Sequence, residues 1–214
     1  MRTSEVFDIH NIKDKKARLL QWSKSFDHIA WLDSNDYPSN YGEYEAILAV
    51  GCNRTLKSNY LGAFDSLKSF IDDLHDWVFG YLTYDLKNDI ENLESNNVDG
   101  LGFSELYFFQ PIKIILIKEN KIEFKYLDEV KAEIHTDFEE ISTLETATQT
   151  SEYGTDAVNS KMRIFKDEYF NKVEKVLDHI HRGDIYEANF SQEFYLENTS
   201  IDPFLTYQRL NSIS

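Results

Sequence analysis

The stretch from residue 167 to residue 197 constrains the fold most, because two different hydrophobic periods meet in it. Residues 167–182 place apolar side chains three and four positions apart, which predicts an amphipathic helix. Gly183 then suits a helix C-terminus, and residues 184–197 alternate apolar and polar side chains, which predicts a strand. The apolar positions are Phe170, Val173, Val176, Leu177 and Ile180 in the helix, and Tyr186, Ala188, Phe190, Phe194 and Leu196 in the strand. The chain is therefore expected to mix helices with strands.

The same two periods predict the other elements of the chain. Helices are predicted over residues 12–26, 63–77 and 201–211. Strands are predicted over residues 29–32, 46–51 and 79–84, and the first of them, which is apolar throughout, is expected to be a short buried strand. Two largely apolar segments, residues 111–118 and 121–127, predict a hairpin that turns at Glu119 and Asn120.

Residues 128–160 differ in composition from the segments on either side. They are dense in Glu, Thr, Ser and Asp and contain few large apolar side chains after Leu144. Such a composition is typical of a linker. The sequence therefore predicts an N-terminal region over residues 1–127, a linker over residues 128–160 and a second region over residues 161–214.

Charge and cysteine content exclude several classes of protein. Lys and Arg number 22 against 38 Asp and Glu, and the resulting net charge of -16 repels nucleic acids and anionic membranes. Cys52 is the only cysteine, so neither an intrachain disulfide nor a cysteine zinc site is expected. No apolar leader follows Met1, and no apolar stretch is long enough to span a membrane. A cytoplasmic protein without a nucleic-acid or membrane partner is expected.

Metal-binding and nucleophilic sites are not predicted by any local spacing. His179 and His181 are two residues apart on a helix, so their side chains point in different directions and cannot share one ion. The acidic residues near His75 fit the polar side of a helix, and residues 85–89 lack the spacing of a calcium loop. Cys52 has no evident partner base and is interpreted as a structural residue.

The polar face of the predicted strand over residues 184–197 allows two interpretations. Glu187 and Asn189 share this face with Ser191 and Glu193, opposite the aromatic side chains. The face is that of an ordinary half-exposed strand, or it is a hydrogen-bonding wall of a polar cavity. The pattern alone leaves both interpretations open.

Four segments resemble the anthranilate synthase and aminodeoxychorismate synthase component I family of chorismate-utilising enzymes. Residues 170–194 resemble the segment that opens the chorismate-binding portion of that family. From Gly183 onward this segment has the sequence Gly-Asp-Ile-Tyr-x-x-Asn-x-Ser-Gln-x-Phe. Residues 31–34 are similar to its Leu-Leu-x-Ser element. Residues 41–49 and 79–85 are similar to two further elements, in the same order along the chain.

The resemblance implies a fold, a reaction and a partner. The implied fold is α+β, a layered sandwich of mainly antiparallel sheets with helices outside. The implied substrate is chorismate, the implied cofactor is Mg²⁺, and a glutamine amidotransferase subunit, component II, supplies ammonia. The sequence of residues 84–88 favours the aminodeoxychorismate, or para-aminobenzoate, branch over the anthranilate branch. A non-catalytic module that binds tryptophan or the amidotransferase is the third hypothesis.

The resemblance also implies a tryptophan pocket in the loop over residues 33–44. The residues that correspond to it are Ser34, Tyr41, Gly42, Glu43 and Tyr44. A hydroxyl can hydrogen-bond an amine or an indole N–H, and tyrosine rings can enclose an indole. The tyrosines have a second explanation, which is that they pack on the strand over residues 46–51.

The family's catalytic motif does not occur in this sequence. The Pro-Ile-Lys-Gly-Thr motif, the magnesium-binding glutamates and a Gly-Ala-Gly turn are expected beyond residue 214, so the chain is interpreted as truncated and inactive alone. Pro111, Ile112 and Lys113 are followed by two isoleucines instead of Gly-Thr, and they lie in a predicted strand. Glu187 stands where the family usually has Gln, which weakens its assignment to a polar contact. No catalytic residue is therefore assigned.

Overall fold

The computed structural model describes residues 1–37, 42–59, 61–91, 93–94, 99–145 and 160–213. The chain divides into two compact units, Met1–Thr148 and Gln149–Ser214. Among the described helices, none combines the length and the apolar composition that a membrane span requires.

The first unit is built around a five-stranded antiparallel sheet with the strand order β1-β8-β7-β3-β2. Its strands are β1 (Arg2–Asp8), β2 (Ile29–Asp33), β3 (Ala46–Val50), β7 (Lys113–Lys118) and β8 (Lys121–Leu127). The predicted hairpin is confirmed, since Lys118 pairs with Lys121 across a two-residue turn. Glu119 has a φ of 53°, the left-handed conformation that such tight turns require.

Two helices cover one face of this sheet. Helix α1 (Ile12–Ser23) contributes Leu19 and Trp22 to the core, and helix α4 (Ile134–Thr143) contributes Ile134 and Ile141. These side chains pack against strand residues from β3, β7 and β8, which include the fully buried Phe124. Apolar burial of this kind contributes roughly 1.5 to 3 kcal/mol for each large side chain.

The beginning of the predicted linker is helical, which corrects the sequence interpretation of that segment. Asp128–Glu133 forms a 3₁₀ helix, and α4 follows it directly. The apolar positions Ile134, Phe138 and Ile141 fall three and four residues apart and face the sheet. Because acidic residues surround these positions, the composition of the segment predicts a linker although the apolar spacing predicts a helix. Residues 146–159 of the predicted linker lie outside the described residues.

A second, three-stranded antiparallel sheet packs on the other face of the first. Its order is β4-β6-β5, with β4 (Arg54–Ser58), β5 (Phe79–Leu82) and β6 (Leu106–Gln110). Phe79 and Phe109 meet Ile114 and Leu116 of the first sheet in one buried cluster. The outer face of the second sheet is covered by helix α2 (Ala63–Leu74), and helix α3 (Lys87–Ile90) follows β5 after the short 3₁₀ helix Tyr84–Leu86. The predicted α+β layering of antiparallel sheets and outer helices is thus confirmed.

The second unit contains helix α5 (Lys166–Arg182), helix α6 (Pro203–Ile213) and a two-stranded ribbon. The ribbon pairs β9 (Lys161–Met162) with β10 (Phe194–Tyr195). Helix α5 matches the prediction, and Gly183 ends it with a φ of 81° and an N–H that donates to the Ile180 carbonyl.

The predicted strand over residues 184–197 is wrong for most of its length. Only Phe194 and Tyr195 pair with a neighbouring strand, and residues 184–193 are irregular. A strand needs a partner for its backbone hydrogen bonds as well as alternating side chains. The ribbon supplies such a partner for two residues only.

Two features of the strands in the first unit also differ from expectation. The β2 strand was expected to be buried, but it is a sheet edge, with Ile29 43% and Leu32 55% exposed. Strands β1, β4 and β6 were not predicted from the sequence. Strand β1 mixes polar and apolar residues, and β4 contains Arg, Thr, Lys and Ser, so neither presents a buried run.

Candidate functional site

The loop between β2 and β3 carries most of the predicted site residues. Its ends are joined, because the Ser34 backbone N–H donates to the Glu45 carbonyl over 3.0 Å. Ser34 is half-buried, whereas Gly42 and Glu43 are exposed. Tyr41, which the sequence also assigned to this site, lies outside the described residues.

A depression of about 430 Å³ lies beside the second half of this loop. Glu43 and Tyr44 line it, so the structure brings two of the predicted residues to one cavity. Ser34 and Gly42 are not among its lining residues. The remaining lining residues come from strands β1, β7 and β8 and from the turn between the last two: Val6, Leu116, Lys118, Glu119, Lys121 and Glu123.

The lining combines an apolar floor with a charged rim. Leu116 is buried, Tyr44 packs on the cluster between the sheets, and Val6 is 55% exposed. Lys118 Nζ lies 3.4 Å from Glu43 Oε1, and this pair is half-exposed or more on both sides. A cavity of this size with both signs of charge suits a small ligand that has an apolar part and carries an amine and a carboxylate. Its charge balance gives no preference for a dianion, since three glutamates face two lysines.

Most of these lining residues were missed by the sequence interpretation. The missed residues belong to β1 and to the β7–β8 hairpin, far along the chain from the loop. Pairing of β3 with β7, and of β1 with β8, brings them to the loop. The hairpin itself was predicted, but nothing local in the sequence shows that it pairs with β3.

A larger depression of about 680 Å³ surrounds Arg2, but its buried charges have partners within the protein. Arg2 Nε donates to Asp76 Oδ1 over 2.7 Å, and Arg2 Nη2 donates to the Pro111 carbonyl over 2.6 Å. Gln110 Nε2 donates to the other oxygen of Asp76 over 2.7 Å. Burial opposes the ionisation of Asp76, but the hydrogen bonds from Arg2 and Gln110 outweigh it and hold the pKa below its usual value. This group ties β1 to the end of α2 and is interpreted as structural.

Lys113, the lysine of the Pro-Ile-Lys sequence, is buried and has two carboxylate partners. Its Nζ lies 2.5 Å from Asp137 Oδ2 and 2.7 Å from Glu133 Oε2. The rings of Trp22, Phe26 and Tyr126 have their centroids within 5.6 Å of the same nitrogen. The Tyr126 hydroxyl donates to Asp137 over 2.7 Å, and burial followed by this carboxylate raises the pKa of Tyr126 far above its usual value. The geometry shows Lys113 fastening α4 and its preceding turn to the sheet.

In the second unit, the other predicted site residues lie between α5 and β10. Glu187 and Asn189 are both exposed there. Just before them, Asp184 Oδ2 lies 2.7 Å from both His179 Nδ1 and Arg182 Nη2. These contacts close the C-terminus of α5. The assignment of Glu187 and Asn189 to a cavity wall stays a prediction.

The described residues do not gather a metal site. No group of three or more His, Cys, Asp or Glu side chains in the described ranges could hold a metal ion. Cys52 is partly buried, and burial raises the pKa of its thiol, which disfavours the nucleophilic thiolate.

Comparison with protein families identifies a match that covers most of the chain. A family model described as "chorismate binding enzyme" matches residues 27–214, which begin just before β2 and extend through both units. No curated protein matches the chain.

Proposed function

The chain belongs to the chorismate binding enzyme family, and we propose that it is the N-terminal part of an aminodeoxychorismate synthase component I. Such an enzyme aminates chorismate to 4-amino-4-deoxychorismate, the precursor of para-aminobenzoate and folate. The main support for the proposal is the segment after Gly183, whose sequence Asp-Ile-Tyr-x-x-Asn-x-Ser-Gln lies inside the matched region. The α+β layering of antiparallel sheets is compatible with it.

The aminodeoxychorismate branch is preferred on the sequence after β5. Residues 84–88 read Tyr-Asp-Leu-Lys-Asn, which is closer to that branch of the family than to the anthranilate branch. Anthranilate synthase component I is the second candidate, because both branches act on chorismate.

A product assay on the intact gene product tests this choice. The protein is incubated with chorismate, ammonia and Mg²⁺, with and without an added aminodeoxychorismate lyase. Para-aminobenzoate that forms only in the presence of the lyase supports the proposal. Fluorescent anthranilate formed without any added lyase would assign the protein to the other branch, and the absence of both products would favour a binding module.

Magnesium and ammonia are proposed to act through groups outside the described residues. The described side chains do not fit a magnesium site, because no suitable group of three acidic or histidine ligands exists among them. We therefore assign no step of the reaction to residues of this chain, and we expect the purified 214-residue chain not to turn over chorismate. A glutamine amidotransferase is the proposed partner, and glutamine-dependent activity that requires an added component II would support it.

The loop between β2 and β3 is proposed to bind tryptophan as an effector. The depression beside Glu43 and Tyr44 is within the usual size range for small ligands and combines apolar walls with charges of both signs. Ser34 joins the two ends of the loop through its backbone. The negative charge of Glu43 suits the ammonium group of an amino acid and opposes its carboxylate.

Titration calorimetry on the intact protein tests the effector site. The Ser34 hydroxyl, which does not line the depression itself, is proposed to hydrogen-bond the ligand from the adjoining loop, so Ser34→Ala is expected to weaken tryptophan binding by about 1 to 3 kcal/mol, the range for a lost buried hydrogen bond. Ser58→Ala, at the end of β4 and half-buried like Ser34, is the matched control and should leave the affinity unchanged. Unchanged affinity in Ser34→Ala would return Ser34 to an ordinary turn residue.

A further inference from the structure

Lys16 on α1 is charged and nearly buried, and it reaches the end of strand β2. Its Nζ lies 2.8 Å from Asp33 Oδ1, and the two side chains are only 9% and 12% exposed. Buried ion pairs add little net stability, because the loss of hydration offsets most of the attraction between the charges. The pair nevertheless fixes the place of the Asp33 carboxylate relative to the helix.

The same carboxylate oxygen also stabilises the turn that follows β2. Asp33 Oδ1 also accepts a hydrogen bond from the Asn35 backbone N–H over 2.9 Å. Asn35 and Asp36 have φ angles of 50° and 59°, so two successive residues with a Cβ adopt the left-handed conformation. Asn and Asp adopt this conformation more readily than other residues with a Cβ, yet it remains less favourable than the ordinary helical and extended regions. The turn therefore depends on the contacts that hold it from outside.

Ser34 lies inside this turn, and its backbone is hydrogen-bonded on both sides. Its carbonyl accepts from the Tyr37 N–H over 2.9 Å, and its N–H donates to the Glu45 carbonyl over 3.0 Å. Any shift of the Asp33 carboxylate would move the Asn35 amide and, with it, the backbone on which Ser34 is placed.

A second lysine on α1 offers a natural comparison. Lys13 Nζ lies 3.0 Å from Asp36 Oδ2, but these side chains are 83% and 60% exposed. Pairs exposed to this degree contribute little to structure in water. Lys13 and Lys16 therefore approach the same turn from the same helix with very different burial.

We propose that Lys16 is a positioning residue, which through Asp33 fixes the turn over residues 34–37 and thereby the site of Ser34. The identity of the ligand at Ser34 rests on the proposed function. The dependence of the turn on Lys16 does not rest on it.

The first test measures tryptophan affinity of the full chain by calorimetry. Lys16→Gln is expected to weaken binding tenfold or more, about the loss that one charge-assisted hydrogen bond produces. Lys16→Arg, which keeps the charge, should recover most of the affinity, and Lys13→Gln should match the wild type. Equal affinity of Lys16→Gln and wild type would overturn the proposal.

The second test needs no ligand and measures amide hydrogen exchange by NMR. In Lys16→Gln, the amides of Asn35 and Tyr37 should exchange on the order of tenfold faster or more, while those of β3 keep their wild-type rates. Unchanged exchange at Asn35 and Tyr37 would overturn the proposal, and so would faster exchange that is uniform across the sheet. If the wild type does not bind tryptophan, the effector assignment fails, and this measurement alone decides the role of Lys16.

Discussion

Asp137→Ala is predicted to destabilise the first unit strongly, because Asp137 neutralises a buried lysine. Asp137 is 7% exposed on α4, and its Oδ2 accepts hydrogen bonds from Lys113 Nζ over 2.5 Å and from the Tyr126 hydroxyl over 2.7 Å. The substitution leaves the Lys113 ammonium, on a side chain 8% exposed, with Glu133 as its remaining carboxylate at 2.7 Å. It also removes the acceptor of the Tyr126 hydroxyl.

The expected loss follows from these contacts. Removing one partner of a buried ion pair costs about 3 to 5 kcal/mol, and a buried hydroxyl that loses its acceptor adds about 1 kcal/mol. Glu133 is 52% exposed, and it compensates part of the charge on Lys113. A net loss of about 3 to 4 kcal/mol is expected, which is a large fraction of the roughly 5 to 15 kcal/mol that stabilises a typical domain.

Equilibrium unfolding in urea, followed by tryptophan fluorescence, measures this loss. With a slope of about 2 kcal/mol per molar, the unfolding midpoint should fall by roughly 1.5 to 2 M. Glu133→Ala is the matched control, since it removes the exposed carboxylate of the same lysine and should cost less than about 1 kcal/mol. Asp137→Asn should be milder than Asp137→Ala, because the amide oxygen can still accept from Tyr126. Equal effects of Asp137→Ala and Glu133→Ala would refute the reasoning.

Three further substitutions test other parts of the first unit. Asp89→Ala should reduce the unfolding free energy by about 1 kcal/mol, because the carboxylate accepts two backbone N–H bonds at the start of α2, and urea unfolding would measure this. The lowered pKa of Asp76 means that its contribution to stability is present above the ordinary aspartate pKa of about 4 and is lost as the pH falls through its lower folded value. Asp76→Asn, which keeps contact with Arg2, should therefore reduce the fall in unfolding free energy as the pH is lowered into the acid range. An unchanged fall would contradict this. Gly80→Ala should destabilise the protein in thermal melts, because its Cβ would lie 1.9 Å from the Tyr107 carbonyl oxygen, and an unchanged melting temperature would exclude this close packing.

The parts of the fold that the sequence predicts correctly have strong local periods. Helices α2 and α5 show apolar stripes at threes and fours, and the β7–β8 hairpin shows two apolar runs around a short turn. Helix α4 has the same kind of stripe, but its acidic composition predicts a linker instead. In that case the spacing of three apolar residues was the better guide.

The candidate site was less predictable than the fold, because its residues come together through sheet pairing. Glu43 and Tyr44 were identified from a family resemblance, and the structure places both on one depression. Val6 and Glu123 reach it because β1 pairs with β8, which joins residues more than a hundred positions apart. Long-range pairing of this kind leaves no local pattern in the sequence. The ion pair of Lys16 with Asp33 is likewise a contact between separate elements.

The second unit shows what hydrophobic periodicity cannot specify. Helix α5 has the predicted apolar stripe, yet Phe170 is 56% and Leu177 is 44% exposed. The alternating segment after Gly183 leaves Tyr186 92% exposed and forms no strand before residue 194. A period determines which side chains share a face, whereas the formation of a strand or a buried helix also needs a surface that covers that face. In the first unit the opposing sheet and helices supply that surface, so clear patterns there correspond to correctly predicted strands. This difference explains why the equally clear alternation after Gly183 predicts a strand that mostly does not form.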